Sequence, residues 1–311
     1  MAGKKQHYIP QFLMRGFASK TVPTKNKPIH YTWFFRNGTD PMEVPVMDVG
    51  RQDYFYGKSG VGTADEKITD AETVYYSPLV HELRNQRAGS IVTSPKLCEF
   101  IAHLVTRSEY VRQVFRDVGS AAVDEVMTLF SDSTLLAPWL DQSIKKNPDY
   151  MAEYFKELFG PDLGEFVRTF LPQTVTPESL EGVAEHFKET RCEMDAVIAP
   201  SVKKGHIDGL EQRLAPEKIV EELALLNWFT IDSSASLILG DFGCLLEMNG
   251  SLNWSPIPYE HSQIENAYLP ISMHRMVVGT RGKELLAFDP ELVNEKMARI
   301  SREFFIAAEK K

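Results

Sequence analysis

The chain of 311 residues is 43% hydrophobic and 25% charged, with a formal net charge of −9. These fractions are typical of a globular protein, and the length fits one large domain or a core with a sizeable insertion. The acidic balance counts against a nonspecific nucleic-acid coat protein. An enzyme that binds DNA through a local basic patch is compatible with this net charge.

The cysteines and the hydropathy pattern bear on the compartment. The three cysteines, Cys98, Cys192 and Cys244, form no Cys-x-x-Cys pair, which favours a reducing environment over a disulfide framework or a zinc ribbon. No secretory signal pattern is found, and no apolar run approaches the length of a membrane span. We therefore expect a cytoplasmic protein that does not bind membranes.

The most informative segment is residues 4–17, which combine polar and large apolar side chains around a proline. Pro10 favours an extended backbone before it and a short helix that begins near it. On such a helix Gln11 and Arg15, four residues apart, share one face. The segment is thus predicted to bury one side and to present polar groups beside His7 on the other.

Alternation and turn residues predict strands, and helical spacing predicts helices, in separate parts of the chain. Strands are predicted at 29–36, 44–49, 228–231, 236–239, 243–248, 267–271 and 275–279, of which 228–248 forms a short meander. Helices are predicted from about Ala64, from Pro95, over 216–226 and over 289–308, with a mainly helical middle region. Without βαβ alternation the fold class is α+β, with small antiparallel sheets from residues 28–56 and 228–280 packed with helices.

The middle region also sets the predicted domain organisation. Residues 119–215 are amphipathic, helical and punctuated by prolines, and we interpret them as a helical insertion or subdomain. Residues 1–118 and 216–311 are then predicted to form a composite α+β catalytic core.

The spacing His-Tyr-x-Pro-x-Phe-Leu-x-Arg-x-Phe at residues 7–17 resembles the hallmark of a large microbial family, domain of unknown function 4238. Further landmarks follow in the family's order: Phe55-Tyr56, Glu66, Glu72, 100–102, Arg107, Arg112, Asp241 and Asn294. The resemblance covers roughly residues 5–20, 50–116 and 225–306. Ser108-Glu109 stands where Thr-Pro is usual, and Gly240 precedes Asp241 where the family has Ser or Thr. The resemblance implies phage defence, with base-removing chemistry on modified viral DNA among the suggested activities.

Common catalytic signatures are missing from the sequence. No Gly-x-Ser-x-Gly elbow occurs, no feature near the cysteines would activate a thiol, and the eight histidines do not cluster as zinc ligands. A hydrolase that uses carboxylates and water remains. In base excision a carboxylate stabilises the cation-like sugar or activates water, while donors help the base to leave.

The residues that fit such a reaction define the predicted site. The catalytic candidates are Asp241, Glu72 and His7. The substrate-binding candidates are Tyr8 for stacking, Gln11 for the base, and Arg15, Arg107 and Arg112 for phosphate. No cofactor or metal is expected, and the family resemblance implies, as the leading function, an antiviral DNA glycosylase acting on modified phage bases, with which these residues are compatible.

Other interpretations of these residues stay open. Glu66, Glu72 and Asp241, with His7, could bind Mg²⁺ in a metal-dependent nuclease. A non-enzymatic module could sense phage through the middle helices. Structurally, the glutamates could pair with Arg107 and Arg112, Tyr8 could belong to the core, Asp241 could be a turn residue, and His103 could be a satisfied interior histidine.

Overall fold

A computed structural model describes residues 4–147, 149, 175–249, 254–258, 262–282 and 288–310. The chain divides into two compact units, Met1–Gln113 with Lys204–Lys311, and Val114–Lys203. The sequence placed these boundaries after residues 118 and 215. That the outer segments together form a catalytic core stays a prediction.

Helices and strands lie mostly in separate parts of the described chain. The α-helices are α1 (Gln11–Met14), α2 (Ala64–Ala71), α3 (Ser77–Asn85), α4 (Pro95–Arg107), α5 (Glu109–Phe130), α6 (Ser133–Lys146), α7 (Glu181–Gln212), α8 (Glu217–Ala224) and α9 (Pro290–Ile300). Short 3₁₀ turns occupy Arg15–Phe17, Val46–Asp48 and Glu178–Leu180, and a π-helical turn covers Glu72–Tyr76.

The described strands are short and pair antiparallel. They are β1 (Lys5–His7), β2 (Lys20–Val22), β3 (Ile29–Phe35), β4 (Met42–Pro45), β5 (Arg51–Asp53), β6 (Asn227–Asp232), β7 (Ile238–Gly240), β8 (Leu245–Met248), β9 (Trp254–Ser255), β10 (Ile264–Ser272), β11 (Arg275–Thr280) and β12 (Phe305–Ala307). One sheet has the order β6-β11-β10-β8-β9 and another the order β2-β3-β12-β7, in which β4 also pairs with β3. β1 and β5 form a separate two-stranded ribbon. The predicted α+β class with small antiparallel sheets is confirmed.

The core of the first unit joins the two larger sheets to α2, α3, α4 and α8. α4 is the most buried helix, because its apolar positions recur at helical spacing and Phe100, Ile101 and Leu104 are fully enclosed. The N-terminal segment belongs to this core as well, since Leu13 and Phe17 have no exposed surface. Such burial fixes the position of the polar side chains that leave the same segment on its other face.

The predicted meander over residues 228–248 is wrong. β6 pairs with β11 and β8 pairs with β10, whereas β7 between them leaves that sheet and pairs with β12. Asn294 on α9 stabilises this departure: its amide oxygen accepts from the Ile238 N–H and its amide nitrogen donates to the Ser236 carbonyl. A strand pattern specifies that a segment is extended and leaves its partner open.

The final helix is shorter than the predicted span to residue 308. α9 begins at the Asp289 cap, whose carboxylate accepts from the Glu291 and Leu292 N–H groups, and it ends at Ile300. The Asp241 carboxylate accepts the next backbone N–H groups, so those groups are not available to extend the helix. The chain then forms β12 between β3 and β7.

In the second unit, Val114–Lys203, the elements that the structure describes are α-helices and one 3₁₀ turn. The Asp132 carboxylate caps α6, and Phe130 contacts the rings of Trp139 and Phe187 at 5.4 and 5.0 Å between centroids. The predicted helical pattern over residues 148 and 150–174 lies outside the described residues. Among the helices that are described, none has the length and apolar character needed to cross a membrane.

Candidate functional site

A cleft of about 520 Å³ opens in the first unit between the N-terminal segment, α2, the π-helical turn and the end of α4. It gathers the predicted site residues His7, Gln11, Arg15, Glu72 and Arg107. The volume lies in the range of small-molecule sites in proteins, which is roughly 300–1,000 Å³.

The ribbon of β1 and β5 holds the N-terminal wall of the cleft. His7 lies opposite Arg51 in the ribbon, and Gln6 points the other way into the protein. The Gln6 amide accepts from the Tyr56 N–H at 2.6 Å and donates to the Gly57 carbonyl at 2.9 Å. These bonds fix a segment that would fray if it were only a terminus.

A chain of side-chain contacts runs along this wall. The His7 Nε2–H donates to the Met47 carbonyl at 3.1 Å, so Nδ1 is the acceptor that faces the Gln11 amide nitrogen at 3.4 Å. The Gln11 oxygen in turn lies 3.5 Å from Arg15 Nη2, at the limit of a hydrogen bond. Burial, with help from the Arg107 charge, lowers the pKa of His7 to about 4. His7 is therefore neutral near pH 7 and orients Gln11.

Glu72 enters the cleft at the first residue of the π-helical turn between α2 and α3. A π-turn inserts one extra residue into a helix, which rotates the side chains that follow and is often found at functional sites. Here it turns Glu72 toward the cleft and Tyr76 into the core, where its ring stacks on His103 at 5.3 Å between centroids. The Glu72 side chain keeps 24% of its surface exposed.

Arg107 forms the floor of the cleft and is 1% exposed. Its guanidinium pairs with Glu72, donates to the Tyr56 hydroxyl at 2.9 Å and donates to the His7 carbonyl at 2.5 Å. Burial alone would lower the pKa of Arg107, but Tyr56 and Glu72 outweigh it and raise the pKa. A buried arginine with all of these partners holds the Glu72 carboxylate at a fixed position in the cleft.

His103 stands behind Arg107 with no exposed surface. Its Nε2 accepts from Arg107 Nη1 at 3.0 Å, and its Nδ1–H donates to the Leu214 carbonyl at 3.3 Å. Burial and the adjacent Arg107 charge lower the pKa of His103 well below its usual range. His103 is thus a satisfied interior histidine that holds Arg107.

The structure does not bring Asp241 into the cleft. Its carboxylate is buried beyond β7 and accepts from the backbone N–H groups of Arg302 at 3.0 Å and Glu303 at 2.6 Å. Burial raises the pKa of Asp241 to about 6, although these N–H donors oppose the shift. Its observed position is that of a residue that shapes the turn before β12, which differs from the predicted catalytic placement.

Tyr8 and Arg112 also lie away from the cleft lining. Tyr8 packs in the core against Phe55, and its hydroxyl donates to Glu303 at 2.5 Å. The Arg112 guanidinium covers the Phe55 ring, donates to the Phe55 carbonyl and donates to His206 Nδ1 at 2.7 Å. Neither side chain presents the stacking surface or phosphate contact that the sequence predicted for it.

The sequence of this chain matches a known protein family. The chain matches the family described as "Protein of unknown function (DUF4238)" over residues 5–285. The chain belongs to the DUF4238 family. No curated protein and no solved structure matches it significantly.

In this DUF4238 member, residues that sequence reasoning missed complete the cleft. Tyr56 bonds Arg107, Lys5 stands on the strand beside His7, and Asp65 accepts from Ser59 Oγ at 2.7 Å in the first turn of α2. Tyr56 carried a signal, because it follows Phe55 in the family landmark. Lys5 and Asp65 carried none, since nothing local distinguishes them from solvated charges. Glu66, also a candidate, does not line the cleft and accepts from the Gly62 N–H.

The described residues contain no group of three or more His, Cys, Asp or Glu side chains arranged to hold a metal ion. Among those residues Asp65 and Glu72 are the carboxylates that line the cleft of this DUF4238 protein.

Acid is expected to destabilise this DUF4238 protein through its buried histidines. Burial lowers the pKa of His7 and His206 to about 4 and holds that of His103 well below its usual range. Between pH 6.5 and 4 the unfolded chain therefore binds more protons, and stability falls as pH falls. From pH 7 to pH 5 a histidine shifted to a pKa of about 4 costs about 2 kcal/mol, whereas the raised pKa of Asp241 returns about 1 kcal/mol.

Urea unfolding at pH 7 and pH 5 measures this effect, with a net loss of at least about 2 kcal/mol expected at pH 5. The variant His206→Asn should flatten the dependence. Equal or greater stability at pH 5 would show that these histidines titrate normally.

Proposed function

We propose that this protein is an antiviral enzyme that acts on nucleic acid, a DNA glycosylase that hydrolyses the N-glycosidic bond of modified bases in phage DNA. The observation that carries the proposal is Glu72, a partly exposed carboxylate that pairs with the buried Arg107. It lines the same cleft as the Gln11 amide and His7, which we call the amide wall. The cleft volume of about 520 Å³ suits a single extruded nucleotide.

The pairing of Glu72 with Arg107 bears on its role. When the C1′–N bond breaks, positive charge develops on the sugar, and a nearby fixed carboxylate lowers the energy of that state. Because Glu72 pairs with the Arg107 guanidinium, it suits charge stabilisation and water positioning better than proton donation. Its second oxygen accepts no hydrogen bond from any residue that the structure describes, since the contact to Arg107 engages Oε1.

The amide wall would meet the base. Gln11 can donate to and accept from a base edge, and the neutral His7 holds it in place through Nδ1. A departing base that gains negative charge is helped by such donors. In this proposal His7 positions Gln11, and Tyr8 and Arg112 are structural.

Purified protein tests the proposal. Incubation with DNA from phages that carry modified bases should release free bases, detected by mass spectrometry, and leave abasic sites that alkali converts to strand breaks. Unmodified DNA of the same sequence should release far less. If no base is released and no strand is cut while the protein still protects cells, the glycosylase proposal is overturned.

A metal-dependent nuclease is the second candidate, and the presence of both Asp65 and Glu72 in the cleft favours it. EDTA separates the two reactions. Base release by a glycosylase should continue in EDTA, whereas Mg²⁺-dependent cleavage should stop and should yield strand breaks without alkali.

We also propose that the enzyme works in the cytoplasm, where phage DNA is replicated. The buried thiols of Cys98 and Cys244 support this placement, because neither is cross-linked in the described structure.

A further inference from the structure

The charged side chains that line the cleft differ in how many hydrogen-bond and ion-pair partners they have. Asp65 and Glu72 are the carboxylates; the first accepts from Ser59 and the second pairs with Arg107. The cations are Lys5, Arg15 and Arg107, so the lining has more cations than carboxylates in a chain of net charge −9.

Two of these cations, Lys5 and Arg15, have few polar contacts within the described chain. The Lys5 ammonium is exposed and makes no hydrogen bond or ion pair with any residue the structure describes. Arg15 is exposed too, and its guanidinium has the Gln11 oxygen at 3.5 Å as its polar contact in the described chain. Arg107, in contrast, is buried and committed to Glu72, Tyr56 and His103.

The order of these groups along the chain matters. Lys5 precedes His7 on β1, and Arg15 follows Gln11 by one helical turn, so the two free cations flank the amide wall. Buried core residues hold the wall rigid, whereas the cations stand in solvent at its two ends. A ligand that reaches the amide wall with a neutral ring would therefore place anionic groups beside Lys5 and Arg15.

We propose that Lys5 and Arg15 form the phosphate subsite of the cleft, and that the cleft binds a nucleotide whose phosphates contact these two side chains. This inference rests on the proposed function for the identity of the ligand as a nucleotide of DNA. It replaces Arg107 and Arg112, which the fold uses internally, as the phosphate contacts. The same chemistry would accept a free nucleoside 3′,5′-bisphosphate, which carries one phosphate for each cation, so the test includes both.

The salt dependence of binding tests the subsite. Log affinity falls as log salt rises. Each phosphate contact that is lost reduces the steepness of this fall by about 0.9 for duplex DNA and about 0.7 for a single strand. Lys5→Gln and Arg15→Gln should each produce one such decrease, and the double variant should produce two. Lys5→Arg and Arg15→Lys should restore the slope. Binding is measured by fluorescence anisotropy with labelled oligonucleotides from about 50 to about 200 mM salt.

Lys4→Gln is the matched control. It removes the same charge one residue away, but Lys4 pairs with Asp53 at 2.8 Å and does not line the cleft. Its slope should equal that of the parent protein. A decrease as large as that of Lys5→Gln would mean diffuse surface attraction and would overturn the subsite.

Titration with a nucleoside 3′,5′-bisphosphate and with the corresponding nucleoside distinguishes the sources of phosphate. Weaker binding of the bisphosphate to both variants, with nucleoside binding unchanged, supports the subsite even if DNA releases no base, a result that would defeat only the glycosylase. DNA that is bound and deglycosylated with unaltered slopes in both variants defeats the subsite and leaves the glycosylase standing. Absence of binding to every phosphate-bearing ligand overturns the subsite outright.

Discussion

Glu72→Gln is expected to lower the rate of base release by a factor of at least about 100, while the protein remains folded. Removing a preorganised electrostatic contact to a transition state typically costs 10²–10³ in rate, or roughly 3–4 kcal/mol. Glutamine keeps the shape and can still accept from Arg107, but it removes the charge that would face the developing cation. Single-turnover assays of base release on modified DNA measure the change directly.

Glu66→Gln is the control for this prediction. Glu66 lies on α2, just before the turn that carries Glu72; it is partly buried and accepts from the Gly62 N–H, but it does not line the cleft. Its activity should stay within about twofold of the parent rate. Equal activities of Glu72→Gln and Glu66→Gln would remove Glu72 from the mechanism.

A third variant separates charge from folding. Glu72→Asp keeps the carboxylate that Arg107 requires but withdraws it by one methylene from the cleft. It should unfold at a urea concentration closer to that of the parent than Glu72→Gln does, yet remain slow. Full activity of the aspartate variant would show that the reach of the carboxylate is unimportant. A glutamine variant that is already unfolded without urea would show that its slow rate reflects the loss of folding.

Local sequence rules were sufficient for the N-terminal wall. Pro10 does separate an extended stretch from a short helix, and Gln11 and Arg15 do reach the same cleft. The determinants lie within a few residues of each other, where backbone restriction and helical spacing decide the geometry. Tyr56, whose hydroxyl donates to the His7 carbonyl and accepts from Arg107, lies on a separate segment and could not be placed in this way.

The role of an arginine depends on its distant neighbours, and there the sequence was insufficient. Arg107 looks like a phosphate contact in the pattern, yet contacts from Tyr56, Glu72 and His103 enclose it. Asp241 looks like a catalytic acid after a strand, yet backbone N–H groups sixty residues later occupy it. In each case the deciding partners come from other elements, as do the strand pairings that broke the expected meander.

Arg107→Met is expected to destabilise the protein by about 3–5 kcal/mol, the usual cost of removing one member of a buried ion pair. Arg107 is 1% exposed, and its loss leaves the Glu72 carboxylate without a counter-charge. It also leaves His103 Nε2 without its donor and leaves the His7 carbonyl with the Tyr56 hydroxyl alone of its two side-chain donors. Urea unfolding followed by tryptophan fluorescence measures the free energy of unfolding.

The double variant Glu72→Gln/Arg107→Met tests whether the pair itself is responsible. Removing both charges takes away the uncompensated carboxylate, so the double variant should recover about 1–3 kcal/mol relative to the sum of the single variants. Arg299→Met is the surface control, because Arg299 pairs with Glu295 while both side chains are exposed, and it should cost less than about 1 kcal/mol. If Arg107→Met were no more costly than this control, Arg107 would not anchor Glu72. The proposed mechanism would then lack the fixed carboxylate on which it depends.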